Sequence, residues 1–486
     1  MIKSLVAFWM ILLTCTSSFS QECDCASNWS WAKKTFEEND AGFAFVLAKK
    51  GKDQYELHNK TFFEKAKETT ELEICTGLIY EWMMFFRKGH IGIRLTQKQT
   101  ATTSEVKPTT DDDIIDRFKN WETYPYNEKD FQKYLSKITK PTFEGVWISG
   151  SYTIGVQKKN NQYIGFIIKA DGVYWREKQV KFKIFEEGNK LKSDFYYRDH
   201  SKVESDIVEL IGNNHLQIGA IHLVRKSPEF KEDKYIQEHF TSLNSSTPYI
   251  SQFDDTTLYF RIPSFDHSQK KAIDSVILAN HSKIIQTKNL VIDVRNNGGG
   301  SDVSYREIIP YLYTNPIRIV SLEMYSTTLN NDRMKKFMND PEWSQEDKKW
   351  AAESYEKLNK RLGEFVNLEE ETVGEKKLDT VYEYPKNVGI IINEGNASTT
   401  EQFLLAAKQS KKVKLFGTTT SGILDISNMN FVPSPCNQFQ LGYCLSKSLR
   451  IPDMAIDDKG LQPDYYIDKA IPKYKWVDYV QTILNQ

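Results

Sequence analysis

The chain has 486 residues, 40% of them apolar and 13% aromatic, enough for about three cored domains and too aromatic for a disordered polymer. Its 64 basic and 65 acidic residues leave a net charge of −1, so no global field recruits nucleic acid, and nucleic acid is not expected as a partner.

Lys3, the apolar run Leu5 to Leu13 and the small residues Ser18 and Ser20 read as a signal peptide over residues 1–20, cleaved before Gln21. No later run of about 18 apolar residues predicts a membrane span. Thr14 is bulkier than the small residue that usually precedes a lipidated cysteine, so anchoring at Cys15 is not expected. The mature chain is therefore expected in a periplasm or outside the cell. Export favours disulfides over metal for Cys23, Cys25, Cys75, Cys436 and Cys444. Cys436 and Cys444 flank a turn and suggest a hairpin staple, with Cys75 left to pair with Cys23 or Cys25. No metal site is expected, because Cys23-x-Cys25 is not zinc-knuckle spacing.

Residues 21–142 read as a helical N-terminal segment with a linker. Leu78, Ile79, Trp82, Met83, Phe85 and Phe86 recur near helical spacing, and Arg87-Lys88-Gly89 forms a basic, glycine-capped end. Residues 143–230 change texture: alternating stretches such as Tyr163 to Ile168 and Val180 to Phe185, separated by Asn, Gly and Lys turns, predict an antiparallel β domain. Residues 240–486 alternate strands and helices, the pattern of an α/β core. Within it, the charged stretch 332–371 shows little apolar face and is read as a solvated helical excursion.

Two strand–loop–helix junctions carry the chemistry. Leu290 to Val294 runs into Arg295-Asn-Asn-Gly-Gly-Gly300, where consecutive glycines let backbone N–H groups approach a ligand. The stretch lacks the ending of a phosphate-binding loop. Val388 to Asn393 leads to Ser398-Thr-Thr-Glu401 at the start of an apolar helix. By itself Ser398-x-x-Glu401 is a capping box. As chemistry, Ser398 is a nucleophile whose oxyanion would rest on the Thr399 N–H and a glycine N–H from the first junction. His90, at a turn before Ile91-Gly-Ile93, and His267, at a strand end, are the candidate bases.

The motifs Leu290 to Gly300, Asn396 to Glu401, Gly417 to Gly422 and Lys459-Gly-Leu-Gln-Pro-Asp464 occur in the order found in the tail-specific (C-terminal processing) peptidase family. That family also holds the tricorn core peptidase, and the likeness spans about residues 250–470. The resemblance implies a multidomain protein with a crotonase-like α/β core and serine endopeptidase activity on polypeptides, without a cofactor. It puts the nucleophile at Ser398, the oxyanion hole at Thr399, Gly298 and Gly299, and the base at His90, as in the histidine-dependent branch. The base lysine of the other branch would fall on Ile423, and the second serine of the histidine branch on Gly89. The family acid maps to Asp457, with Asp458 the neighbouring alternative. Residues 143–230 do not resemble the PDZ domain common in the family. The opposing reading is an inactive member that binds a peptide, glycan or apolar ligand.

Overall fold

The computed structural model describes residues 23–96, 110–188 and 190–486. The signal peptide, Cys15 and most of the linker lie outside the described residues.

Four helices, Cys25–Asn39, Phe43–Lys50, Lys52–Glu68 and Leu72–Met83, form the N-terminal segment. Their aromatic stripes converge on one core in which Trp29, Phe36, Trp82 and Phe86 pack edge to face and tilted. This core is not private to the segment. It includes Phe439, Leu441, Tyr443 and Leu445 from strand Phe439–Ser448, at the far end of the chain. Strand Gly92–Leu95, directly after the last helical turn, pairs antiparallel with that strand, Gly92 opposite Gly442. The missing side chains leave room for Phe431, whose ring would meet a Cβ at either position. Strand Ile426–Pro433 pairs on the other side, Ile426 opposite Lys447.

The charged excursion is not solvated as its composition suggests. Helices Thr328–Asn339 and Gln345–Asn359 bury Met334, Ala351 and Leu358, and Met334 and Leu358 join the helical core. Val366 joins them, and Phe337, Tyr355 and Leu368 pack against the same core. Just before the stretch, Asn330 Nδ2 donates to the Asn39 carbonyl, and the Tyr443 hydroxyl donates to Asn330. Apolar groups spaced this thinly among charges read as a polar stretch in sequence.

Residues 145–227 form nine antiparallel strands in one sheet, from Gly145–Ser149 to Ile221–Ser227. Alternate side chains, among them Trp147, Ile154, Phe182, Leu216 and Leu223, turn to one interior. His200 stacks between Phe118 and Trp175, tying the preceding segment to this domain.

The α/β core is a six-stranded sheet in chain order: Tyr249–Asp254, Thr257–Arg261, Asn289–Asp293, Asn387–Ile392, Val413–Gly417 and Tyr465–Tyr466. The first pair is antiparallel and the remaining pairs parallel. Helices Lys270–Ile284 and Thr399–Ala407 cover one face through Ile273, Ile277, Phe403 and Leu404. Trp476–Leu484 covers the other, on Tyr259, Val291, Ile391 and Phe416. Both glycine- and serine-bearing junctions thus leave adjacent strands at their carboxyl ends, where α/β sheets bind ligands. After the first junction the predicted helix is shortened to a 3₁₀ turn, Asp302–Tyr305, and the turn Ile309–Leu312.

Cys75 pairs with one of its two expected partners, but the expected Cys436–Cys444 staple does not form. Cys23 is bonded to Cys436 and Cys25 to Cys75, while Cys444 is a buried free thiol. Cys436 sits in the hairpin turn and reaches the N-terminal segment. Cys444 lies inside the paired strand opposite Met429, so the two cysteines do not face each other.

Candidate active site

Ser398 sits at the sharp turn between strand Asn387–Ile392 and helix Thr399–Ala407, with φ 57° and ψ −126°. A non-glycine residue holds such a backbone only when its surroundings over-determine it. Here its N–H donates to the Ile423 carbonyl at 2.8 Å and approaches Glu401 Oε2 at 3.3 Å. Glu401, fully buried, also accepts from Thr420 Oγ1, the Gly422 N–H and the Ile423 N–H. Burial raises its carboxyl above the ordinary value, against those hydrogen bonds. What reads in sequence as a capping glutamate is the clamp between the Ser398 turn and loop 418–423.

The two junctions are sewn together by asparagines. Asn297 Oδ1 accepts from the Phe265 and Gly299 N–H groups and from Thr400 Oγ1. Asn396 Nδ2 donates to the Val294 and Asn297 carbonyls, and Asn296 and Asn393 exchange amide bonds. Behind them, burial opposes the Asp293 charge, but the Arg295 and Arg261 guanidiniums hold its carboxyl well below the ordinary range. Sequence reading missed these residues, because loop asparagines look like turn formers.

Gly299, at φ 102°, lies directly under Ser398: a Cβ there would sit 2.9 Å from Ser398 Cβ and 2.7 Å from the Ala397 carbonyl. Its N–H donates to Asn297 Oδ1 at 3.0 Å. The N–H groups of Thr399, first in its helix, and of exposed Gly298 have no hydrogen-bond partner among the described residues.

His90 comes from 308 positions away, and its Nε2 lies 3.1 Å from Ser398 Oγ. The ring is delivered by the strand pairing after it and by a left-handed turn at φ 54°. Its carbonyl is held by the Arg87 guanidinium at 2.9 Å and the Cys444 thiol at 3.3 Å. Arg87 in turn forms a buried two-pronged pair with Asp40. The Nδ1–H donates to the Ile426 carbonyl at 2.6 Å. An acceptor there fixes the tautomer and leaves the Nε2 lone pair for the hydroxyl. Burial, assisted by Arg87, lowers the His90 pKa and outweighs the Ile426 hydrogen bond, so the ring is neutral at neutral pH. His267 lies in a 3₁₀ turn and, among the described residues, makes no hydrogen bond to Ser398.

Among the described residues Asp457 makes no hydrogen bond to His90 and reaches it through Ile426. Its carboxylate accepts the N–H groups of Leu424, Asp425 and Ile426 at 2.6, 2.7 and 3.1 Å, bracing the residue whose carbonyl holds the ring. Asp458 is exposed and pairs with Lys49 at 3.3 Å. The Ile423 side chain fills the space over Gly89, the residue before His90. A strained hydroxyl against a neutral, oriented imidazole, beside unpaired amides at a helix start, is equipped for attack on a carbonyl group.

Residues 256–467 match peptidase family S41. No curated protein matches the chain significantly. Among solved structures, the chain is similar in fold to mature CPAF complexed with lactacystin, at 12% identity and TM-score 0.51, covering 95% of this chain and 97% of that one. It also aligns with the photosystem II D1 C-terminal processing protease, at 10% identity and TM-score 0.38 over 95% and 97% of the two chains. The tricorn protease aligns at 12% identity and TM-score 0.41, over 95% of this chain and 36% of that one.

Proposed function

We propose that this chain, a serine-type peptidase whose residues 256–467 belong to peptidase family S41, is an exported endopeptidase that cleaves polypeptides through an acyl-enzyme on Ser398. The observation that carries the reading is the 3.1 Å contact between His90 Nε2 and Ser398 Oγ. An inactive binding scaffold has no use for a hydroxyl and a neutral imidazole held in this way.

In this mechanism Ser398 Oγ attacks the peptide carbonyl while its proton passes to His90 Nε2. The imidazolium that forms keeps its Nδ1–H on Ile426, and the Asp457 charge stabilises it from behind that peptide. The tetrahedral oxyanion takes the N–H groups of Thr399 and Gly298, with the positive end of helix Thr399–Ala407 beneath it. His90 Nε2 then gives its proton to the leaving amine. Water, deprotonated by the same nitrogen, attacks the acyl-enzyme and releases the second product. Gly299 serves by being small, keeping the oxyanion loop against Ser398.

The core sheet with its site at the carboxyl ends of the parallel strands supports a crotonase-like peptidase core. Two disulfides support an oxidising compartment, and the signal-peptide reading of residues 1–20 agrees with it. The described residues include no helix long and apolar enough to cross a membrane. The test is hydrolysis of an unfolded protein such as reduced, alkylated casein. New peptides should appear with the wild-type protein and fall by roughly 10⁴-fold or more in rate with Ser398→Ala or His90→Ala. Equal hydrolysis by folded Ser398→Ala would refute the reading.

A further inference from the structure

Asp425 lies on no motif and, among the described residues, makes no hydrogen bond to Ser398 or His90, yet its side chain is wholly buried. Its Oδ1 accepts Arg450 Nε at 2.8 Å, and its Oδ2 accepts the N–H groups of Ile456 and Asp457 at 2.5 and 2.9 Å. The Asp425 N–H is itself donated to Asp457 Oδ1 at 2.7 Å. Asp425 and Asp457 thus each hold the other's backbone, a reciprocal clasp between the start of strand Ile426–Pro433 and the irregular chain around 456–457. The Ser448 N–H closes it on the Asp425 carbonyl at 2.7 Å.

We infer that Asp425 is a positioning residue for the reaction proposed above, acting through Asp457 and the Ile426 carbonyl to keep the His90 ring aligned with Ser398. The inference rests on that reading of the site. It follows from where the ring gets its orientation: among the described residues the Nδ1–H has one partner, the Ile426 carbonyl, and the Ile426 N–H is held by Asp457. Only acceptor-only groups suit both positions, since each carboxylate faces three donors and an amide would turn its NH₂ against one of them.

Placing two carboxylates together carries a Coulomb cost, which the Arg450 guanidinium offsets on Asp425. Among the described residues Asp457 has no cation bonded to it. Burial pushes its carboxyl up to about 6 against its three amide bonds, and the Asp425 charge adds to the rise. The other charged and titratable groups around it are Arg87, with its partner Asp40, and Cys444 on the His90 side, and Lys49, Lys50, Lys88 and Asp458 along the cavity on the outer side. Asp425 therefore sets charge behind the imidazole as well as geometry, and charge gives a readout that a purely mechanical brace would not move.

The experiment is the second-order rate of fluorophosphonate labelling at Ser398, followed across the acid range. In Asp425→Asn the rate should fall about 10–100-fold through misplacement of the ring. The midpoint of its acid limb should move to lower pH, because a negative charge that favours protonation has gone. In Arg450→Gln a positive charge is lost, and the midpoint should move to higher pH. Where Asp425→Asn does not fold, the upward shift in Arg450→Gln carries the test. Wild-type rates and midpoints in the folded variants, or a loss of rate with an unmoved midpoint, would overturn the inference while leaving the serine mechanism standing. Failure of the wild-type Ser398 to label at any pH would instead bring down the mechanism itself.

Discussion

The Ile423 side chain occupies the volume that a side chain at position 89 would need: a Cβ on Gly89 would lie 2.6 Å from Ile423 Cδ1 and 2.8 Å from its Cγ2. Gly89 precedes His90, and the Ile423 carbonyl holds the Ser398 N–H, so the pair packs together the two segments that carry the reacting residues. Gly89→Ser should force the His90 turn outward, costing about 1–3 kcal/mol of stability by overpacking and about 10²-fold in Ser398 labelling rate. Adding Ile423→Ala should restore most of the lost rate. Labelling-rate measurements on the single and double variants check both statements.

Gly299→Ala is expected to be more damaging. A Cβ there meets backbone and Ser398 Cβ at 2.7–2.9 Å, at a φ of 102° that L side chains rarely adopt. Neither the Ala397 carbonyl nor the Ser398 turn has room to give. Strain of about 1–3 kcal/mol plus displacement of the oxyanion loop should remove activity to near the Ser398→Ala level. Thermal unfolding and casein hydrolysis together report the two effects.

The pH dependence follows from the lowered pKa of His90. Burial disfavours its charged form, so the ring remains a base below the ordinary value of 6.5, and the acid limb of labelling should have its midpoint below pH 6.5. The sign for stability is the same. Between the folded pKa and 6.5 the unfolded chain binds more protons at this site than the folded one, so His90 costs stability as pH falls through that window. A midpoint above 6.5 would contradict this description of the site.

The serine and glycine junctions were legible in the sequence because each is written within a dozen consecutive residues: buried strand, small-residue loop, helix start. The α/β core and the antiparallel domain were legible from periodicity for the same local reason. His90 was reached through family resemblance, since a contact across 308 positions leaves no local pattern. Asp457 was reached through the same resemblance, and its carboxylate is held by three backbone N–H groups, as no spacing distinguishes a carboxylate on an imidazole from one on three amides. The disulfides misled because Cys436 and Cys444 share a hairpin, whereas the bond from Cys436 goes to the helical segment docked on it. The 332–371 stretch misled because its core contacts, Met334, Phe337, Tyr355, Leu358 and Val366, are thinly spaced among charged residues.

Cysteine accessibility checks the pairing. Burial pushes the Cys444 thiol up to about 12, so the native mature protein should resist alkylation. Denaturation without reductant should expose one thiol, and reductant should add the four from the two bonds. Loss of either bond should lower stability by about 2–5 kcal/mol. Intact mass after iodoacetamide treatment reads the first set, and denaturant midpoints the second.

Arg87→Met isolates an uncompensated Asp40 charge in the core, where the two side chains are 8% and 0% exposed. The expected cost is about 3–5 kcal/mol, and it should shrink in the Asp40→Asn/Arg87→Met double variant. Because Arg87 also holds the His90 carbonyl, labelling should stay depressed in the double variant even where stability recovers.

The most direct measurement of the central claim is stoichiometric labelling of the folded mature protein with a fluorophosphonate, read by intact mass and peptide mapping. The account predicts one adduct per chain, on Ser398, absent in Ser398→Ala and slowed by orders of magnitude in His90→Ala. No adduct on a folded wild-type chain, or an adduct at Ser398 whose rate is indifferent to His90, would contradict it.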